Sequence, residues 1–99
     1  MNPIVIKGCI FKRHPIFDTY AASKDGYIID INKQVKIEAQ YHNGYLYVIL
    51  KCKPCEKIYE LQQFVWECFN GITPINGVIE NVTGNNRKCC LYNLRLVLQ

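Results

Sequence analysis

The sequence has no long hydrophobic run and only 99 residues, and each of these two facts excludes a class of protein. Its longest uncharged apolar run is Tyr45–Leu50, far below the about 20 residues that a membrane-spanning helix needs. With 99 residues, the chain is also too short for a (β/α)8 barrel or a complete dinucleotide-binding fold. We therefore expect a single domain over residues 1–99 that has no membrane contact.

The N-terminal segment lacks the features of a secretory signal peptide, since Lys7 interrupts its apolar residues and no small-residue cleavage site follows. Six cysteines would suit a secreted disulfide framework, but without a signal peptide that interpretation loses its main support. We expect an intracellular, reducing location such as the cytoplasm, the nucleus or a virion. Cys9 and Cys68 lie in strand and helix patterns, which predicts that both are buried thiols.

The net charge of +4 is unevenly distributed along the chain. Neither the first 13 nor the last 19 residues contain an acid. The basic residues of these two ends are Lys7, Lys12, Arg13, Arg87, Lys88 and Arg95. If the fold brings the ends together, they form one basic patch that suits a polyanion. A merely solubilising surface explains the same charges, so both interpretations stay open at this point.

The first half of the sequence is typical of antiparallel strands joined by tight turns. Asp25-Gly26, Asn32-Lys33 and Asn43-Gly44 favour hairpin turns. They separate runs rich in Tyr, Ile and Val, the residues that favour strands. The predicted strands are 20–22, 27–31, 35–39, 45–50 and 58–61, with Cys52–Lys57 as a loop around Pro54. We expect these strands to form one small meander.

The hydrophobic period then changes from that of strands to that of a helix. Leu61, Phe64, Val65 and Cys68 recur at helical spacing, which predicts a helix over Gln62–Phe69 that ends at Asn70-Gly71. One more strand, a polar loop and a final apolar segment follow at 77–79, 80–87 and 91–97. The predicted fold is therefore α+β, with a β-hairpin region over 1–61 and a helix plus a short β element over 62–99.

The last forty residues carry a motif. It consists of Phe64-Val65-Trp66-Glu67-Cys68-Phe69-Asn70-Gly71, Pro74, Val78-Ile79-Glu80-Asn81-Val82-Thr83-Gly84-Asn85 and Leu91-Tyr92-Asn93-Leu94-Arg95-Leu96-Val97. This motif resembles the HNH homing-type endonucleases of phages and large DNA viruses, and the hairpins from His14 onward are similar to their N-terminal part. The resemblance implies a ββα-metal element, here cut short before its last helix.

The resemblance also implies a nuclease site, and the sequence departs from the family pattern there. The family uses a histidine general base next to a carboxylate, and a helix-borne ligand that helps to hold a divalent metal. Here the Asp-His pair reads Glu80-Asn81, and asparagine cannot accept a proton near neutral pH. Glu80, Asn81 and Asn93 are left as remnant positions of the site, and Glu80 is a candidate Mg²⁺ ligand. The two histidines, His14 and His42, are expected to be exposed polar residues.

Two further interpretations rest on the cysteines. Cys52, Cys55, Cys89 and Cys90 are candidate zinc ligands, although the second pair is adjacent rather than spaced C-x-x-C. A strand followed by Cys52-Lys53-Pro54-Cys55 and a helix would instead suit a thiol redox site. That interpretation requires a helix that begins at Cys55, and it fails if the cysteines flank a β-turn.

The resemblance and the acid-free ends together predict a nucleic-acid-binding, catalytically impaired HNH-like domain, with DNA preferred over RNA. Phosphate binding does not require the missing histidine. The candidate binding residues are Lys12, Arg13, Asn85, Asn86, Arg87, Lys88 and Arg95. A residual Mg²⁺-dependent nuclease that uses Glu80 and Asn93 is one alternative. A protein-interaction module, with a protein partner or a second copy on its exposed tyrosines, is another.

Overall fold

The computed structural model describes residues 4–52 and 55–99, and in these residues it forms ten strands and one α-helix. The strands are β1 (Ile4–Ile6), β2 (Cys9–Arg13), β3 (Tyr20–Ser23), β4 (Ile28–Asp30), β5 (Val35–Ile37), β6 (Gln40–His42), β7 (Tyr45–Cys52), β8 (Cys55–Glu60), β9 (Gly77–Asn81) and β10 (Leu94–Leu98). The helix α1 spans Leu61–Asn70, and a 3-10 turn at Leu91–Asn93 precedes β10. The α+β class is confirmed.

The strands form three antiparallel sheets instead of the single meander that the turn pattern predicts. The first sheet has the order β1-β2-β3-β4-β5, the second β6-β7-β8, and β9 pairs with β10. The break lies between Ile37 and Gln40, where β5 ends and β6 begins. A run of apolar residues reveals where strands lie but not which strands share hydrogen bonds, so this division was not visible in the sequence.

The predicted turns lie where the sequence places them. Asn43 and Gly44 have φ of 52° and 90° and connect His42 to Tyr45, which are Cα partners. This left-handed pair is what a two-residue hairpin loop requires, and Asn-Gly adopts it at little cost. A Lys7-Gly8 turn, with φ of 49° and 79°, joins β1 to β2 in the same manner and was not predicted.

Helix α1 lies at the centre of the fold and contacts β3, β7 and β9, one strand from each sheet. Its predicted apolar stripe is buried: Phe64 and Val65 are fully inaccessible, and Leu61 and Cys68 are nearly so. The helix ends at Gly71, whose N–H donates to the Glu67 carbonyl at 2.9 Å. Because one helix closes the core against all three sheets, it fixes their relative positions.

The cysteine segment differs from the predicted loop. Strand β8 begins at Cys55, which is the Cα partner of Cys52 across the β7–β8 ladder. Lys53 and Pro54, where the sequence predicts a turn, lie outside the described residues, as does the Cys52 side chain. The thiol redox site requires a helix that begins at Cys55. Since Cys55 begins a strand instead, that interpretation is wrong. Cys89 is also a poor thiol nucleophile, because burial raises its pKa to about 11.

Two further burial predictions have different outcomes. Cys68 is buried against the core, as expected, but Cys9 is exposed. Cys9 is the first residue of β2, next to the Lys7-Gly8 turn. A short strand beside a hairpin turn can follow the hydrophobic pattern of a strand without reaching the core.

None of the helices in the described residues is long and apolar enough to cross a membrane.

His14 corrects a prediction, because it is fully buried and not an exposed loop residue. Its Nδ1 accepts hydrogen bonds from the N–H groups of Ile16 and Phe17, at 3.1 and 3.2 Å. Since Nδ1 is an acceptor, Nε2 carries the proton, and it donates to Glu67 Oε1 at 2.7 Å. The ring also stacks on Phe64, with centroids 4.6 Å apart. His42, in contrast, is exposed as predicted.

Glu67 is the acceptor at the centre of this buried cluster, with only 1% of its surface exposed. Oε1 accepts from His14 and from the Tyr59 hydroxyl, and Oε2 accepts from Gln63 Nε2 at 3.2 Å and from the Thr73 N–H at 2.8 Å. Burial alone would raise the pKa of Glu67. The bonds from His14, Tyr59 and Thr73 outweigh that effect and lower it from 4.5 to about 2.

We expect the free energy of unfolding to decrease as the pH falls from about 4.5 to about 2. Glu67 has a lower pKa in the folded chain than in the unfolded chain, so its contribution is complete above pH 4.5 and is lost as the carboxylate is protonated. Urea unfolding at a series of pH values, followed by Trp66 fluorescence, measures this. Tyr59→Phe removes one donor and shifts the acid transition upward; a transition at the same pH in both proteins would contradict the assignment.

Candidate functional site

The β9–β10 hairpin positions the remnant residues that the motif resemblance singles out. Glu80 and Arg95 are Cα partners on its outer face, and Arg95 Nη2 lies 3.5 Å from Glu80 Oε2. Both side chains are about half exposed, so the ion pair contributes at most about 1 kcal/mol. It nevertheless occupies both groups: Arg95, a predicted phosphate ligand, faces an acid, and Glu80, a predicted Mg²⁺ ligand, faces a cation.

Asn81, at the position of the family's histidine, belongs to a chain of side-chain amides. Its Nδ2 donates to Gln62 Oε1 at 3.4 Å and to Asn86 Oδ1. Gln62 is itself buried and donates to the Ile79 carbonyl at 2.7 Å. These neutral amides connect α1, β9 and the following loop. Asn81 Oδ1 is buried without a hydrogen-bond partner in the described structure.

Asn93 organises the loop of residues 82–90, which we call the 82–90 loop. The side chain is 2% exposed; its Oδ1 accepts from the Thr83 N–H at 3.2 Å, and its Nδ2 donates to the Lys88 carbonyl at 2.9 Å. Its backbone carbonyl accepts from Val82 at 2.7 Å. Asn93 therefore links both ends of the loop to the base of β10, and its side-chain oxygen faces a backbone N–H.

Replacing Asn93 with alanine is expected to cost about 1–3 kcal/mol of folding free energy, because a buried donor and a buried acceptor lose their partner. The loss should be concentrated in the 82–90 loop, so amide hydrogen exchange at Thr83 and Lys88 should accelerate more than exchange in β3. Asn76→Ala serves as the control, because Asn76 is an exposed asparagine that lies outside this loop. Unchanged exchange in the loop would contradict this role of Asn93.

A cleft of about 300 Å³ opens beside the side-chain amides of Gln62, Asn81 and Asn86, which we call the amide chain. It is lined by Tyr45, Glu60, Gln62, Val78, Ile79, Glu80, Asn81 and Asn86. Burial raises the pKa of Glu60, which precedes α1 and faces this cleft. Neither Glu60 nor Tyr45 was singled out in the sequence, because neither lies in the motif; only the β7–β8 ladder brings them beside β9.

The residues in this region do not fit a divalent metal. Across residues 4–52 and 55–99, no three His, Cys, Asp or Glu side chains cluster in a way that could hold an ion. Glu80 is paired with Arg95, and the Asn93 oxygen accepts a backbone N–H. A Mg²⁺ site needs several oxygen ligands that are free to face the ion, and neither remnant position offers one in this arrangement.

The cysteines are likewise not arranged as a zinc site in the described structure. Cys55 is exposed, while Cys89 and Cys90 are buried at the end of the 82–90 loop. A structural zinc site requires four ligands around one ion. The Cys52 side chain lies outside the described residues, and among the residues that are described Cys55, Cys89 and Cys90 belong to no cluster that could hold a metal ion. The four-cysteine site stays a prediction.

Three of the predicted phosphate ligands lie over aromatic rings. Arg87 stacks on Tyr41 with its guanidinium carbon 3.7 Å from the ring centroid. Lys88 Nζ lies 5.2 Å from the Tyr92 centroid, and Lys12 Nζ lies 5.4 Å from that of Phe69. Arg87, Lys88 and Lys12 are all exposed. A ring holds each cation near the surface. Lys88 also forms a side-chain hydrogen bond with Tyr92, and the N–H donors outside these contacts face solvent, where an anion can bind.

The fold brings the two basic ends to the same turn. Gly26, between β3 and β4, lies so close to Cys89 that a Cβ on it would stand 2.9 Å from the Cys89 carbonyl oxygen. The Leu91 N–H donates to the Lys24 carbonyl at 2.7 Å. Asp25, in this turn, lines one cleft together with Lys12 and another together with Arg87. The β3–β4 turn thus joins the 82–90 loop to the Lys12 region.

The other predicted ligands have structural partners. Arg13 Nη1 donates to the Asp18 carbonyl at 3.0 Å. Asn85 Oδ1 accepts from the Arg87 N–H at 3.0 Å, and Asn86 accepts from Asn81. The two asparagines therefore shape the 82–90 loop, while Arg87 and Lys88 are its exposed cations. The Tyr41 ring was missed, because it is 46 residues from Arg87 in the sequence and no local pattern connects them.

This architecture of small antiparallel sheets closed by one helix is similar to a solved structure, that of the HNH homing endonuclease I-HmuI, described for its DNA binding and cleavage. The match has a TM-score of 0.72 and 23% sequence identity; it covers 100% of this chain but 53% of that one, so the chain spans about half its length. No family model and no curated protein matches the sequence.

Proposed function

We propose that this chain binds double-stranded DNA as an HNH-like domain and does not cleave it. The observation that carries the proposal is the 82–90 loop, which presents Arg87 and Lys88 at the surface while its asparagines form the internal bonds. The phage and large-DNA-virus type, and a degenerate ββα-metal element over 77–99, belong to this proposal. Only the motif resemblance supports those two details.

The charge arrangement supports binding. Exposed Lys and Arg side chains bind phosphates and release counterions. This contribution to the binding free energy does not depend on base sequence. Lys12 extends the same surface past the β3–β4 turn. Asp25 of this turn lines both the cleft that Lys12 lines and the cleft that Arg87 lines. The fold likeness to a protein that binds and cleaves DNA points to the same class of ligand.

The amide chain supports the loss of cleavage. A general base must accept a proton from water, and the Asn81 amide cannot do so near neutral pH. The carboxylates that line the same cleft are those of Glu60 and Glu80, and Glu80 is paired with Arg95. His14 does not replace the missing base, since its Nε2–H already donates to Glu67 in the core.

The test has two arms on the same protein. Labelled duplex DNA is titrated at several salt concentrations, and we expect affinity to fall steeply and linearly on a double-logarithmic plot. Supercoiled plasmid is then incubated with protein and Mg²⁺ or Mn²⁺, beside a Glu80→Ala control, and we expect no nicking in either. Metal-dependent nicking that the control lacks would replace this proposal with the residual nuclease.

A protein-interaction module is distinguished by the same titration. An interface built on exposed tyrosines loses little affinity as salt rises, because apolar burial is not screened. If the chain binds no duplex at any salt concentration but forms a salt-insensitive complex with a protein or with itself, the DNA proposal is wrong.

A further inference from the structure

A second cleft lies between the first and second sheets, and Arg87 of the DNA-binding surface described above lies at its rim. It has a volume of about 370 Å³. Its floor is apolar, with contributions from Ile28, Ile37, Ala39, Leu46 and Leu61. The rim carries Tyr27, Lys36 and Arg87, together with the acids Asp25 and Glu38. An apolar floor with one ring and a polar rim suits a flat, polar-edged ligand better than a metal or a peptide.

The ring and the cations of this rim are paired. Lys36 Nζ lies 3.9 Å from the centroid of Tyr27, whose side chain is 48% exposed. Arg87, on the opposite element, is the cation that also stacks on Tyr41. Lys36 therefore covers one face of the Tyr27 ring, so a planar group would stack on the other face and have Arg87 as the rim cation near its edge. Bases stack on aromatic side chains in this way, while cations hold the attached phosphates.

We propose that this cleft takes an unpaired nucleotide, with its base on the face of Tyr27 opposite Lys36 and its phosphates toward Arg87. The inference rests on the proposed function and adds a structural preference: a duplex with an unpaired or displaced base is bound more tightly than a continuous one. The carboxylates of Asp25 and Glu38 fit the same occupant, because they can accept from the exocyclic amino group of a base.

Charge and size also support this occupant. The two cations and two acids of the rim balance each other, so the cleft does not by itself attract an extended phosphate backbone. The 82–90 loop supplies that attraction and delivers Arg87 to the rim. A pocket of this volume accommodates a single base and its sugar, whereas a duplex is far too wide to enter.

The test compares two duplexes of identical sequence, one fully paired and one with a single unpaired 2-aminopurine in the same position. We expect the parent protein to bind the second duplex about 5- to 100-fold more tightly, in line with the effect of one base–aromatic stack. Binding should also quench the 2-aminopurine fluorescence. Tyr27→Ala should abolish the preference and the quenching, while Tyr27→Phe, which keeps the ring, should retain both.

Tyr92→Ala is the matched control, because Tyr92 is also an exposed tyrosine with a lysine over its ring but does not line the cleft. It should leave the preference unchanged. Equal affinity of the parent protein for both duplexes, or a preference that persists in Tyr27→Ala, would overturn the inference and leave duplex binding in place. Absence of binding to either duplex would instead overturn the proposed function on which the inference rests.

Discussion

Replacing Glu67 with alanine is expected to lower the free energy of unfolding by about 3–5 kcal/mol. The substitution removes the acceptor of four hydrogen bonds at once. The His14 Nε2–H and the Thr73 N–H would then lie in the core without a partner. Because a small domain has a total stability of about 5–15 kcal/mol, this single change removes a large part of it.

Urea unfolding at neutral pH, followed by Trp66 fluorescence, measures the change. Glu56→Ala is the matched control, because Glu56 lies exposed on β8 and its loss should change stability by less than about 0.5 kcal/mol. Tyr59→Phe should have an intermediate cost of about 1 kcal/mol, since it removes one donor and leaves the carboxylate. Equal effects of Glu67→Ala and Glu56→Ala would mean that the buried cluster does not stabilise the fold.

The His14–Glu67 pair shows where the sequence could not predict the structure. His14 and Glu67 are separated by 53 residues, and a histidine between two loop signals is usually exposed. It is buried because Nδ1 accepts the backbone N–H groups of its own turn while Nε2 bonds to a helix residue. Long-range pairing of this kind depends on tertiary packing, and local periodicity in the sequence does not predict tertiary packing.

Local patterns were informative where the backbone itself decides the conformation. The Asn43-Gly44 turn, the apolar stripe of α1 and the helix end at Gly71 all follow from properties of a few consecutive residues. Strand partners do not, and the division between β5 and β6 was therefore missed.

In the candidate site, too, some features could be predicted from the sequence and others could not. Asn81 was visible in the motif, because it stands where the resembled family has a histidine. Its hydrogen bonds to Gln62 and Asn86 were not visible, nor was the ring under Arg87. The sequence thus indicated where the chain departs from the family pattern, whereas the structure adds which hydrogen bonds the side chains at those positions make.

The variant Arg87→Ala/Lys88→Ala is expected to reduce affinity for duplex DNA by about 10- to 100-fold, because each cation is an exposed phosphate ligand in the proposed surface. The slope of the logarithm of affinity against the logarithm of salt concentration should decrease by about 2, since two phosphate contacts are lost. Fluorescence anisotropy with a labelled duplex at several salt concentrations measures both quantities.

A matched variant separates a local effect from a change in net charge. Lys51→Ala/Lys57→Ala also removes two exposed cations. They lie toward the Cys52–Cys55 end of the β7–β8 ladder, whereas the residue of β7 that lines a cleft with Arg87 is Leu46. It should weaken binding only slightly, through the long-range field. Both variants should retain the parent's unfolding midpoint, because Asn93 and Asn85 bond to the backbone of the loop and not to the replaced side chains. If the two double variants lose the same affinity and the same slope, net charge and not the 82–90 loop governs binding, and the proposed interface is wrong.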